Sequence, residues 1–242
     1  MRRKVTLNEV ARAAGIAALA AAVVAVSGCT NAGSASTSDP VAGKQLFVKN
    51  CGSCHTLARA GTKGNVGPNL DDAFRVARNE RWGDNSIRGV VLGQIGYPGK
   101  GSAMPADLVT GQDAQDVADY VSAVVARPGK DAGLLATAVK AAGSGKPAVE
   151  TNGVLSIAAD PGGQLAYVSK TATAKAGPIQ IQMPNRSGID HNLAIEGTSI
   201  KTPIIKAGVA KASGTLKPGT YTYFCEVPGH RQAGMVGKLT VK

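Results

Sequence analysis

Three regimes of hydrophobic patterning succeed one another along the chain. Residues 15–26 (GIAALAAAVVAV) form an unbroken apolar run behind a basic start, Arg2-Arg3-Lys4. The run is too short to cross a bilayer and has the length of the apolar core of an export signal. From residue 39 the apolar positions fall at helical spacing. Asp39-Pro40 reads as an N-cap followed by proline at the first helical position, with the helix continuing through Leu46 and Phe47. Thr110-Gly111-Gln112-Asp113 reads as a capping box with Asp in place of Glu, opening a helix whose Val117, Tyr120, Val121, Val124 and Val125 share a face. Pro128-Gly129-Lys130 ends it. Residues 143–147 (GSGKP) are flexible punctuation, and residues 134–142 have room for a short helix. Beyond 150 the period drops to two. Gln180-Ile181-Gln182-Met183 and Thr220-Tyr221-Thr222-Tyr223-Phe224-Cys225 alternate, with turns at Pro161-Gly162-Gly163 and Pro218-Gly219. About 90 residues of this kind predict a β-sandwich.

The patterning divides the 242 residues into an export signal (1–29), a polar linker (30–39), a helical domain (40–127), a second linker (128–150) and a strand-rich domain (151–242). As a free coil, the second linker would span roughly 26 Å root-mean-square, enough for the domains to touch without being forced to. The net charge of +11 is uneven, with ten basic against four acidic residues in 151–242. There is no Lys/Arg run interleaved with aromatic residues, so nucleic acid is excluded as a partner. A basic docking face for an acidic protein fits the balance.

The chemistry sits in a few positions. Cys51-Gly52-Ser53-Cys54-His55 is the covalent attachment signature of c-type haem. Each thiol can add to a vinyl group of the porphyrin, and His55 then lies under the ring. A redox dithiol has no use for the adjoining His, and a zinc site needs two further ligands nearby. Met104, in a glycine-rich loop ahead of Pro105, is the candidate sixth iron ligand, with core packing as its alternative. In the last domain, Cys225, His230 and Met235 follow a C-x₄-H-x₄-M spacing, and His191 is the one remaining histidine. Two His, one Cys and a weak axial Met make a blue-copper set, against which a His₂Cys zinc site is the alternative. A binuclear copper site would need a second cysteine in this loop. The carboxylates form no clustered pair, so no catalytic site is read and the chain is not expected to be an enzyme.

Val26-Ser27-Gly28-Cys29 resembles the lipobox of bacterial lipoproteins, which implies a lipidated Cys29 at the mature terminus. The alternative is an ordinary signal with an incidental cysteine. The order C-x-x-C-H, Gly67-Pro68-Asn69-Leu70, Met104-Pro105 and terminal helix over 40–127 resembles a small, all-α class I cytochrome c. That likeness implies that the Pro68 carbonyl accepts a hydrogen bond from His55. Trp82 and Tyr97 line the haem pocket or pack in the core. Residues 151–242 resemble the cupredoxins similar to plastocyanin, azurin and auracyanin, an all-β Greek-key sandwich in which Asn192 steadies the cysteine loop.

Together these resemblances imply one haem c and one type 1 copper on a lipid-anchored chain outside the cytoplasm, in the periplasm or on the outer face of the cytoplasmic membrane. They imply single-electron transfer between a quinol-oxidising complex and a terminal oxidase or reductase. The competing classes are an electron-entry subunit of an oxidase or denitrification enzyme, and a copper-handling protein.

Overall fold

The computed structural model describes residues 38–242. The expected export signal, Cys29 and all but the end of the expected first linker lie outside them. The helical domain opens with α1 (Pro40–Asn50), whose first amides at Val41 and Ala42 donate to the Asp39 side chain, with Pro40 at the first helical position. Short pieces follow: β1 (Thr56–Leu57), β2 (Thr62–Lys63), α2 (Leu70–Ala73) and α3 (Arg75–Asn79). Two longer helices, α4 (Asp84–Gly96) and α5 (Gly111–Val124), complete the domain. The α1 and α5 helices cross at Gly43, where a Cβ would lie 2.1 Å from the Asp116 carbonyl oxygen. Only a residue without a side chain allows that approach. The stripe Val117, Tyr120, Val121, Val124 and Val125 is buried, as its spacing predicts. The helix begins at Gly111 as expected, but Thr110 makes no capping hydrogen bond. Gly111 has φ +56°, and this left-handed turn carries the Thr110 hydroxyl out of line with the amides beyond it.

Residues 128–150 form an ordered strap. The Asp131 side chain is enclosed and takes ion pairs from Lys44 (3.0 Å) and Arg59 (2.7 Å), with Tyr120 Oη donating at 3.0 Å. Helix α6 (Leu134–Thr137) follows, and the Leu135 and Ala138 carbonyls accept from Lys44 and Gln45 of α1. The strap then meets the strand domain: Lys140 O accepts from Gln164, and the Gly145 amide donates to Val168 O.

The strand domain is a two-sheet sandwich. One sheet has the order β3 (Ala148–Val149), β5 (Thr171–Ala174), β10 (Val236–Val241), β9 (Gly219–Phe224), β7 (Ala194–Ile195). The other has β4 (Val154–Ser156), β6 (Gly177–Asn185), β8 (Gly208–Leu216). β6 shows the period-two burial that its sequence predicts, with Ile179, Ile181 and Met183 inward. The inward faces of both sheets close on Leu155, Tyr223 and Leu239. A short helix, α7 (His230–Ala233), links β9 to β10 at one end.

Candidate metal centres

The haem-attachment turn grows directly out of α1. Cys51 caps the helix, its amide donating to Phe47 O, and the amides of Cys54 and His55 both fold back onto Cys51 O at 3.1 and 2.9 Å. Both sulfurs therefore sit on one tight turn. Three glycines make room around it. A Cβ on Gly52 would lie 2.5 Å from Thr62 Cγ2, one on Gly64 would lie 2.4 Å from the Cys54 carbonyl carbon, and one on Gly67 would lie 2.5 Å from His55 Cε1. Gly67 thus lets the chain pass against the imidazole and bring Pro68 O to 2.9 Å from His55 Nδ1. A carbonyl only accepts, so Nδ1 carries the proton and Nε2 keeps its lone pair for a metal.

These residues fit a haem. Burial, then the neighbouring Cys54, pushes the free Cys51 thiol up to about 12, a penalty on its anion that a thioether does not carry. Leu46, Leu70, Phe74, Val91, Leu92 and Met104 are half-buried apolar side chains on the edge of the domain core, a surface suited to a flat apolar ring. The Met104 amide donates to Ser102 Oγ, which orders the glycine-rich loop. Trp82 (45% exposed) and Tyr97 (87%) belong to neither core.

The second centre is more enclosed. His191, Cys225 and His230 place one donor atom each within 4.8 Å of the others, and all three are buried. The two Nδ1 atoms are 3.1 Å apart, and Cys225 Sγ is 3.5 Å from His230 Nδ1. β9 delivers Cys225 in phase with buried Tyr223, and the Cys225 amide donates to Met235 O at 3.2 Å. The Met235 amide closes onto His230 O at 2.9 Å, and Gly229 (φ +84°) and Gly234 (φ +110°) bracket the helix between them. Met235 is fully buried. His191 is pinned by paired backbone bonds with Ile205, and its Nε2 is buried without a partner among the described residues.

Burial, then the facing His230, holds His191 down at about 4, and burial lowers His230 against the opposing pull of Asp190. Burial raises the Cys225 thiol. Two neutral imidazoles with converging nitrogens beside a buried thiol suit a cation that deprotonates the thiol on binding.

Asn192 supports this set on both sides. Its Oδ1 accepts from the Glu226 amide at 2.8 Å, while its Nδ2 donates to Glu226 Oε2 at 2.8 Å and to Thr202 O at 3.3 Å. Tyr167 Oη donates to Asn192 O at 2.6 Å. The parts played by Glu226, Tyr167 and Gly64 carry no sequence signal, whereas Gly67 stands in plain view beside Pro68.

Residues 40–124 match the family described as cytochrome c, and residues 155–242 match the copper binding proteins of the plastocyanin/azurin family. Among solved structures, the chain is similar to reduced auracyanin from the photosynthetic bacterium Roseiflexus castenholzii at 25% identity. That match covers 38% of this chain and 99% of that one, with a TM-score of 0.35. Auracyanin A, a "blue" copper protein from the green thermophilic photosynthetic bacterium Chloroflexus aurantiacus, matches at 23% identity over 40% and 100%, with a TM-score of 0.33. Reduced rusticyanin matches at 21% identity over 40% and 84%, with a TM-score of 0.30. The chain joins a haem c domain of the cytochrome c family to a type 1 copper domain of the plastocyanin/azurin family, and the two together make it an electron-transfer protein.

Proposed function

We propose that the chain is a lipid-tethered electron carrier outside the cytoplasm, working between a quinol-oxidising complex and a terminal oxidase or reductase. In this reading Cys51 and Cys54 hold the haem, and His55 and Met104 are its axial ligands. His191, Cys225, His230 and Met235 hold copper. Each group supplies a one-electron couple when bound. What the protein does is fix the ligands so that little moves when charge changes.

The observation that carries the reading is the pair of preorganised donor sets. His55 Nδ1 is tied to Pro68 O, and the His191, Cys225 and His230 donor atoms all lie within 4.8 Å of one another. Asn192 holds the cysteine loop through Glu226, so Cys225 stays in register with His191. Cys29, by its lipobox setting, anchors the chain, and the linker holds the domains off the membrane surface. The basic excess of the copper domain suits acidic partners.

The test combines location with turnover. Wild-type protein should fractionate with membranes and Cys29→Ala should be released. Membranes containing a quinol-oxidising complex should reduce the haem in a quinol-dependent way. Failure of quinol to reduce it in such membranes would overturn the assignment of donor, and a Cys29→Ala protein that stays membrane-bound would overturn the anchor.

A further inference from the structure

Ser38–Lys242 is one compact unit, and within it the two centres meet through the loops that hold their ligands. A Cβ placed on Gly229, the residue before His230, would lie 2.5 Å from Asn65 Oδ1. Asn65 follows Gly64, whose backbone is packed on Cys54 and whose carbonyl accepts from Thr56 Oγ1 at 2.8 Å. A second contact lies farther from the metals. A Cβ on Gly163 would lie 2.9 Å from the Lys49 carbonyl oxygen at the end of α1. Between them runs a crevice walled by Gly52 and Thr62 on one side and by Leu165, Ala166, Ala233 and Gly234 on the other. Close backbone approaches at glycines, together with the hydrogen-bonded strap, define a seated interface. A tether between free domains would leave neither.

Taking the haem and copper assignments above as given, we infer that this contact is the path of electron transfer between the two centres within one chain. The path starts at the Cys54 thioether and its backbone, passes by contact to Gly64, and follows the chain to the Asn65 side chain. It crosses by contact to Gly229 and reaches copper through His230. The step moves one electron: one metal loses it and the other gains it, no bond forms or breaks, and no proton is required. Charge attraction does not hold the faces together, since both domains are net basic. The seat depends on shape at glycines and on the strap.

The experiment uses the full holoprotein, oxidised, with a photoexcited one-electron donor reducing the haem. The haem and blue bands are followed together across a dilution series. The inference requires bleaching of the blue band at a rate independent of protein concentration. Asn65→Ala, which removes the bridging side chain and touches no ligand, should slow that phase several-fold with both spectra unchanged. Gly163→Glu, which has no room against Lys49, should abolish the phase. Copper(II) spin relaxation, which is enhanced by a nearby ferric haem, gives a readout independent of turnover. The enhancement should persist in Asn65→Ala and fall in Gly163→Glu. A bleaching rate proportional to concentration, or an intramolecular rate unmoved by Asn65→Ala, overturns the inference and leaves the carrier reading intact. Absence of either band in the starting protein overturns both.

Discussion

Replacing Gly67 by alanine sets a methyl group 2.5 Å from His55 Cε1, 2.8 Å from Nδ1 and 2.9 Å from Nε2. Ordinary contact between carbon atoms is about 3.5–4.0 Å, so the ring or the loop must shift by roughly 1 Å. Pro68 is the next residue, so the shift falls on the 2.9 Å bond between Pro68 O and His55 Nδ1. Overpacking of a well-packed site costs about 1–3 kcal/mol, and loss of the hydrogen bond adds about 0.5–1.5 kcal/mol. A domain of this size loses roughly 4–8 °C of melting temperature per kcal/mol, so the haem-domain transition should drop by several degrees at the least. The iron should also become easier to reach, because the ring that holds it has lost its orienting partner. The assay is thermal unfolding followed at the haem band, paired with carbon monoxide binding to the ferrous protein. Gly89→Ala is the control, since α4 leaves open space there and alanine is the better helix former by about 0.5–1 kcal/mol. If Gly67→Ala melts with wild type and excludes carbon monoxide, the glycine does not hold His55 in place and the derivation of its tautomer fails.

Met104→Ala should let the ferrous haem take up carbon monoxide and lower its potential, whereas an unchanged potential would show that another side chain fills that position. Met235→Leu should shift the copper potential and keep the blue colour, as measured by redox titration. Asp131→Ala leaves buried Lys44 without its carboxylate counter-charge and should cost about 3–5 kcal/mol in denaturant unfolding. Burial alone would raise the Asp131 carboxyl, but hydrogen bonds from Lys44, Arg59 and Tyr120 outweigh it and hold the group below the usual carboxylate range. Its stabilising contribution is therefore complete above about pH 4, the unfolded value, and is lost as pH falls through the lower folded value. Wild type should lose haem-domain stability over that acid interval, and Asp131→Asn should show a shallower loss.

How much of this was legible in sequence depends on how far apart the cooperating residues lie. Cys51, Cys54 and His55 share one turn, and Cys225, His230 and Met235 share one loop, so their spacing alone states the chemistry. His191 stands far from that loop in sequence, singled out only as the one remaining histidine, and its pairing with His230 is a product of the fold. The stripe on α5 and the alternation of β6 were readable because one face of each is buried. The three-strand and five-strand sheets were not, because β3, β4 and β7 are too short to carry a period and join their neighbours across long loops. The Thr110 capping box failed for a local reason, the left-handed Gly111 beside it. Residues 128–150 have the composition of a flexible linker, and their order comes from Asp131, whose partners Lys44 and Arg59 sit far back in the chain. The close approaches at Gly43, Gly64 and Gly229 are likewise invisible until the surfaces they separate are known.

In this protein one chain carries two one-electron centres of different chemistry. Metal analysis of the purified full-length protein, combined with its optical and electron paramagnetic resonance spectra, tests that directly. One covalently attached low-spin haem and one copper per chain are expected, with a blue thiolate-to-copper band superimposed on the haem spectrum. Cys225→Ser should remove the blue band and leave the haem spectrum as it was. Protein from copper-replete cells that holds zinc at His191, Cys225 and His230 and shows no blue band would refute the copper assignment, and haem that is extracted without cleaving the thioethers at Cys51 and Cys54 would refute the haem assignment.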